Sequence, residues 1–272
     1  MLVAVFRLLS RLPLRWLQRL GAVLGLLVYA FPGRYRRRLR AHAAQAGHDS
    51  AAFARRAAAH TGIMMLETAW VWFRPGEARA LVHTAQRERL RRAAAEGRPV
   101  VFLTPHLGNF ELAARFAAQY APIHVLYRPP RQAALRPLVE TSRQNDGVRI
   151  AAANRQGLRQ LLRALREGQM VGILPDQVPG AGEGAWADFF GRPAYTMTLP
   201  ARLAADPEVM VIAATCARLP GGRGWQLHLE DIDDRPDPSP EAQAAWINAI
   251  MMRLIERCPE QYLWSYHRYK QP

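Results

Sequence analysis

Short apolar runs alternate with amphipathic stretches through most of the chain. Val100-Val101-Phe102-Leu103 contains no polar position, as expected of a strand buried on both faces, and predicts a strand over residues 100–104. Runs of the same kind predict strands at 123–127, 148–151, 170–174, 209–214 and 225–229, with a shorter one at 80–84. Apolar positions at helical spacing predict helices at 87–96, 112–120, 133–143, 157–166, 197–205 and 242–257. Gly97 and Gly168 close two of them, and Pro220-Gly221-Gly222 predicts a hairpin between the last two strands. The glycine-rich stretch 178–192 reads as a loop. Strands alternating with helices predict an α/β fold: a mostly parallel central sheet flanked by helices on both faces.

Residues 2–31 have a different pattern. They are mostly apolar, and Arg7, Arg11, Arg15 and Arg19 recur among them at a spacing of four, which puts them on one face of a continuous helix. Pro13 kinks that helix or begins a second one. The uncharged stretch 20–31 has twelve residues, whereas a transmembrane helix needs about twenty. An interfacial helix with its arginines toward lipid phosphates fits better. Arginines reaching deep into the segment, and the poor cleavage context Tyr29-Ala30-Phe31-Pro32, argue against a signal peptide. Arg34, Arg36, Arg37, Arg38 and Arg40 follow at once and would hold this end on the cytoplasmic side. Residues 1–40 are therefore expected to form a membrane-anchoring segment and 41–272 a single domain. Residues 50–73 read as a helix ending in an aromatic run broken by Pro75-Gly76.

The formal net charge is +15, carried almost wholly by arginine, with Lys270 the single lysine. Such a charge suits a polyanion: a membrane surface, a phosphorylated lipid, an acidic carrier protein or a nucleic acid. No recognition motif accompanies it, so nucleic acid is not expected. Cys216 and Cys258 stand apart and form no C-x-x-C, which argues against a disulfide framework or a zinc site. A Walker A loop, a G-x-G-x-x-G and a G-x-S-x-G are all absent, and no metal or organic cofactor is implied.

Candidate chemistry gathers where strands end, since ligands in parallel sheets collect at the carboxyl ends of the strands. His106 follows the strand at 100–104, and Glu111 falls in the first turn of the next helix. A histidine oriented by a carboxylate can act as a general base toward a hydroxyl. Asn109 between them is placed to cap the helix. Arg128 follows a second strand and suits a phosphate or a developing oxyanion. Asp176-Gln177 follows a third, where the aspartate can order the site through hydrogen bonds. The bland alternatives are a surface arginine in an arginine-rich chain, and a turn aspartate.

The unbroken stretch Thr104-Pro105-His106-Leu107-Gly108-Asn109-Phe110-Glu111 resembles the H-x4-D/E signature of the lysophospholipid acyltransferases. Its Gly-Asn-Phe-Glu version resembles the lauroyl/myristoyl acyltransferases of bacterial lipid A biosynthesis. Further matches lie in the same order: Tyr127-Arg128-Pro129, Arg143 to Gly147, Pro175-Asp176-Gln177, Phe189-Phe190-Gly191, Thr196-Met197-Thr198, and the closing stretches 259–264 and 267–270. At 41–47 the chain departs from the family, with Ala-His-Ala-Ala-Gln-Ala-Gly where an Asn-Leu pair is usual. The resemblance implies a glycerol-phosphate-acyltransferase-like fold at the cytoplasmic face of the inner membrane. It implies acyl carrier protein as thioester donor, a lipid acceptor such as a lipid A precursor, and a catalytic His106–Glu111 dyad. Asn109, Arg128, Arg143, Asp176 and Gln177 become substrate-binding candidates. Related members acylate ornithine lipids, other glycolipids or polyene lipids. Two rival readings are a non-catalytic membrane or acidic-partner binding module, and a hydrolase using the same dyad on water.

Overall fold

The computed structural model describes residues 2–129, 136–144 and 147–272. Its centre is a seven-stranded sheet. In chain order the strands are β1 (Val82–His83), β2 (Val100–Leu103), β3 (Ile123–Tyr127), β4 (Val148–Ala152), β5 (Met170–Ile173), β8 (Met210–Arg218) and β9 (Trp225–Asp231), while β6 (Gly184–Asp188) and β7 (Pro193–Met197) form a separate antiparallel pair. Across the sheet the order is β1-β9-β8-β2-β5-β3-β4. The five strands from β8 to β4 are mutually parallel, and β9 turns back antiparallel on β8 through the expected hairpin. The predicted fold class, α/β with a mostly parallel sheet, is therefore the observed one.

Alternation along the parallel strands divides the core into two layers. Val101, Leu103, Val171, Ile173, Val211 and Ala213 face one side. There they meet α9 (Arg155–Arg166), α10 (Leu199–Leu203), α11 (Pro240–Glu256) and α3 (Arg34–Gln45). Val100, Phe102, Met170, Met210 and Ile212 face the other side, against α2 (Leu14–Ala30), α4 (Ala51–Phe73), α6 (Arg87–Ala95) and α7 (Phe110–Ala117). The strands are uniformly apolar because both of their faces are covered. The remaining helices are α1 (Leu2–Leu9), the short α5 (Pro75–Ala80) and α8 (Arg136–Arg143). The helix expected over 133–143 is seen from Arg136; its first expected residues lie outside the described ones.

Two expectations are corrected. The glycine-rich segment 178–192 is not all loop: Gly184–Asp188 pairs with Pro193–Met197, and Phe189-Phe190-Gly191 makes the turn. Gly191 and, unusually, Phe190 adopt positive φ there. Phe189 is buried, its carbonyl accepting from Tyr269 Oη at 2.8 Å, so this turn packs on the core. The arginine stripe is also interrupted. The chain breaks between α1 and α2, and Pro13 precedes the first turn of α2, so Arg7 and Arg15 belong to different helices.

Helix α2 lies against α4 with almost no side chain between the backbones. A Cβ on Gly25 would stand 2.2 Å from the Ala58 carbonyl oxygen, and one on Gly62 would stand 2.1 Å from that of Gly21. The opposite side of α2 carries exposed Trp16, Leu20, Val23, Leu24, Leu27 and Val28, and Phe31 follows it. The Arg15 and Arg19 guanidiniums lie over the Trp16 ring. Among the described residues no single helix is long and apolar enough to cross a membrane.

One buried and one half-buried histidine make stability depend on pH. His42 on α3 donates from Nδ1 to the Trp264 carbonyl at 2.9 Å; burial pushes its pKa down to about 4, helped by His267, Arg38 and Arg192. Burial and the neighbouring Arg218 bring His60 on α4 to about 4 as well. Unfolded histidine takes its proton near pH 6.5. Between about 6.5 and 4 the unfolded chain therefore binds more protons, so stability falls as pH drops through that window. The urea midpoint should be lower at pH 5 than at pH 7.5, and substitution of His42 or His60 by an uncharged residue should flatten the difference.

Candidate active site

The turn after β2 is closed by backbone contacts to two other parts of the chain. The Gly108 amide donates to the Gln261 carbonyl at 3.1 Å and the Leu263 amide to the His106 carbonyl at 3.1 Å. The Asn109 amide donates to the Cys216 carbonyl on β8 at 2.9 Å. Gly108 has φ +59°, and a Cβ there would stand 2.1 Å from the Cys216 carbonyl oxygen. Only glycine permits both the left-handed turn and the close approach to β8. His106 is thereby fixed at the carboxyl end of the sheet.

The carboxylate that orients His106 is Asp176. Its Oδ1 lies 2.7 Å from His106 Nδ1, and its Oδ2 accepts from the His106 backbone amide at 2.9 Å. The parallel register explains the meeting. Leu103 on β2 is paired with Ile173 on β5, and His106 and Asp176 each lie three residues beyond that pair. Asp176 is buried, whereas the His106 side chain stays 18% exposed, so one partner is sheltered and the other can reach a ligand. Burial opposes charge on Asp176, but the charge and hydrogen bonds of His106, with Arg268 nearby, hold its pKa below the usual carboxylate value. Burial, reinforced by the nearby Asp176 charge, pushes the Tyr262 phenol well above its usual pKa. With Nδ1–H donated to Asp176, Nε2 carries the lone pair, and the Gln177 Nε2 amide is 3.2 Å from it.

The expected His106–Glu111 dyad is not what the geometry presents. Helix α7 begins at Phe110 and carries Glu111 toward other partners. Glu111 accepts from Arg143 Nε at 2.8 Å and Nη2 at 2.5 Å, and from Trp72 Nε1 at 2.9 Å, with Arg115 at 4.0 Å. Burial opposes its charge, yet the two arginines and these hydrogen bonds hold its pKa below the usual value. Glu111 therefore acts on Arg143, whose guanidinium it fixes over the Tyr127 ring.

His106, Glu111, Arg128, Arg143 and Gln177 all line one cavity of about 320 Å³. Its apolar floor is formed by Phe102, Val125, Val148 and Gly172. Gly172 leaves room there: a Cβ would crowd Ile123 and Val125 at 3.2 and 3.3 Å. Arg128 occupies the open side, with its side chain 63% exposed and 3.8 Å from Glu183. Asn109 takes the capping position of α7 without a side-chain cap bond. It is buried and does not line the cavity, because the backbone bond to Cys216 pulls it under the turn. Asp176 stands behind the imidazole and not on the cavity wall. Trp72, Arg115 and Tyr262 carry no local sequence signal that marks them as site residues. Trp72 sits in an apolar run that reads as core, and Tyr262 reaches Asp176 only through tertiary folding.

A sequence model described as bacterial lipid A biosynthesis acyltransferase matches residues 1–271. The chain is 27% identical over 214 residues to a lipid A biosynthesis lauroyltransferase of Escherichia coli, covering 77% of this chain and 69% of that protein. It is 27% identical over 215 residues to a lipid A biosynthesis palmitoleoyltransferase of the same organism, covering 77% and 68%. A lipid A biosynthesis acyltransferase of Haemophilus influenzae is 27% identical over 180 residues, covering 65% and 55%.

Proposed function

Since the chain belongs to the bacterial lipid A biosynthesis acyltransferase family, we propose that it transfers a fatty acyl chain from an acyl carrier protein thioester to a hydroxyl of a lipid A precursor, at the cytoplasmic face of the inner membrane. The observation that carries this reading is the Asp176-held imidazole of His106 opening onto an apolar-floored, arginine-lined cavity. His106 Nε2 takes the hydroxyl proton while Asp176 steadies the imidazolium. The alkoxide oxygen bonds to the thioester carbon, and the tetrahedral intermediate collapses with loss of the C–S bond. The imidazolium returns its proton to the departing thiolate.

A cavity of about 320 Å³ lies near the lower end of the ~300–1,000 Å³ typical of small-molecule sites. That volume suits an acyl chain and the reacting hydroxyl, so the bulk of a glycolipid stays outside. Arg128 at the open side would meet an acceptor phosphate, and Arg143, held by Glu111, would meet charge inside. The exposed apolar side of α2 and the arginines 34–40 would lie on the anionic leaflet that presents the acceptor.

The test uses carrier protein loaded with a labelled acyl chain and a lipid A precursor in mixed micelles. The expected product is a lipid heavier by one acyl group, seen by mass spectrometry. Label recovered only as free fatty acid would favour hydrolysis; no turnover, with lipid binding retained, would favour a binding module.

A further inference from the structure

His106 is gripped at both ring nitrogens by two consecutive residues. Asp176 accepts a hydrogen bond from Nδ1–H, and the Gln177 carboxamide nitrogen stands 3.2 Å from Nε2. Nε2 then has only its lone pair to offer, so the carboxamide must be the donor. The atom expected to receive the acceptor's proton is thus engaged by a neighbouring side chain. Gln177 and His106 both line the cavity, so a hydroxyl reaching Nε2 from it would compete with the amide for that nitrogen.

We infer that Gln177 is a gate on the catalytic base: its carboxamide holds the Nε2 lone pair until a lipid acceptor displaces it, and it thereby sets the ratio of acyl transfer to thioester hydrolysis. This rests on the acyl-transfer reading above. A water molecule that displaced the amide would exchange one hydrogen bond for another and bring no further binding energy. A lipid acceptor brings contacts remote from the reacting atoms, and these can drive the displacement. After displacement the sequence of bonds is the one already given. If water takes the acceptor's place, its oxygen bonds to the acyl carbon, the C–S bond breaks, and the thiolate recovers the proton from His106. The products are then a fatty acid and a free thiol, with no oxidant or reductant required.

The experiment measures both products in wild type, Gln177→Ala and Gln177→Ser, with lauroyl-loaded acyl carrier protein as donor, with and without a lipid A precursor in mixed micelles. Both substitutions remove the donor that reaches Nε2. The expected result is a rise in the hydrolysis-to-transfer ratio of about five- to tenfold, the factor that one hydrogen bond of ordinary net strength represents, with the melting temperature unchanged. A residue that only bound substrate or supported the fold would lower both products together, and that parallel fall would overturn the gate. So would an unchanged ratio alongside intact wild-type transfer, which leaves the acyl-transfer reading standing. Absence of transfer in the wild type overturns both.

Discussion

Asp176→Asn is expected to lower the turnover number for acyl transfer by about 10²–10⁴-fold, the range associated with loss of a working general base or of the carboxylate that fixes its tautomer. The amide fills the same volume but offers a neutral group to His106 Nδ1, and it can present N–H where the carboxylate presents an acceptor. His106 would then no longer be held with its lone pair at Nε2. His106→Ala should fall in the same range. Because the two side chains act as one unit, the double variant should be little slower than either alone. His106→Ala also removes a hydrogen-bond partner of the buried Asp176 carboxylate, so a modest fall in melting temperature should accompany the loss of turnover. Glu111→Gln provides the contrast. It loosens Arg143 and leaves the His106–Asp176 pair in place, so its effect should be carried more by KM. If Glu111→Gln abolished turnover while Asp176→Asn retained it, the imidazole would be oriented by the nearer carboxylate after all.

The second large effect lies behind the site. Glu67 on α4 is fully buried and accepts from Arg218 Nε at 2.7 Å and Nη2 at 2.8 Å, and from Gln18 Nε2 of α2 at 2.7 Å. Arg218, at the end of β8, also reaches His60 at 2.9 Å. Its backbone amide donates to Gln261 Oε1 at 2.8 Å, and Gln261 in turn donates to the Arg218 carbonyl at 3.1 Å. Glu67→Ala should destabilise the protein by about 3–5 kcal/mol, because it strands a buried guanidinium. For a chain of this size that lowers the melting temperature by about 2–4 °C per kcal/mol. Replacing both members by apolar residues of similar volume, Glu67→Leu with Arg218→Met, should recover much of the loss, since the desolvation cost of the pair disappears with it. A melt of Glu67→Ala within 2 °C of wild type would refute the assignment. Activity should fall with stability here, because the Gln261 carbonyl receives the Gly108 amide and so seats the turn that bears His106.

The central strands were plain in the sequence because both of their faces are buried. Val100 to Leu103 and Met170 to Ile173 need no alternation, and apolar runs bounded by glycine or proline are unambiguous at that length. The β6–β7 pair is not legible in the sequence, for the opposite reason. Its burial is patchy, with Trp186 exposed and Ala185 buried, and its pairing is stabilised by α11 and the C-terminal tail. Arg268 bonds the Tyr195 carbonyl at 2.6 Å from 73 residues away, a support invisible to any local pattern. The break in the N-terminal arginine stripe was half legible. Pro13 signalled it, but whether it bends one helix or starts another depends on what α2 meets, and Gly21 and Gly25 meet the α4 backbone.

By itself the sequence determined the α/β class, the basic and apolar N-terminal face, the placement of His106, Arg128 and Asp176 at strand ends, and membership of an acyltransferase family. These are properties of composition, period and motif, all of them carried by neighbours along the chain. Which carboxylate serves the imidazole was decided only in three dimensions. Glu111 is near in sequence, but the turn of α7 carries it to Arg143, while the in-register pairing of β2 with β5 delivers Asp176 across 70 residues. Strand adjacency and register are not written in any one segment, because they depend on how all the buried faces pack at once.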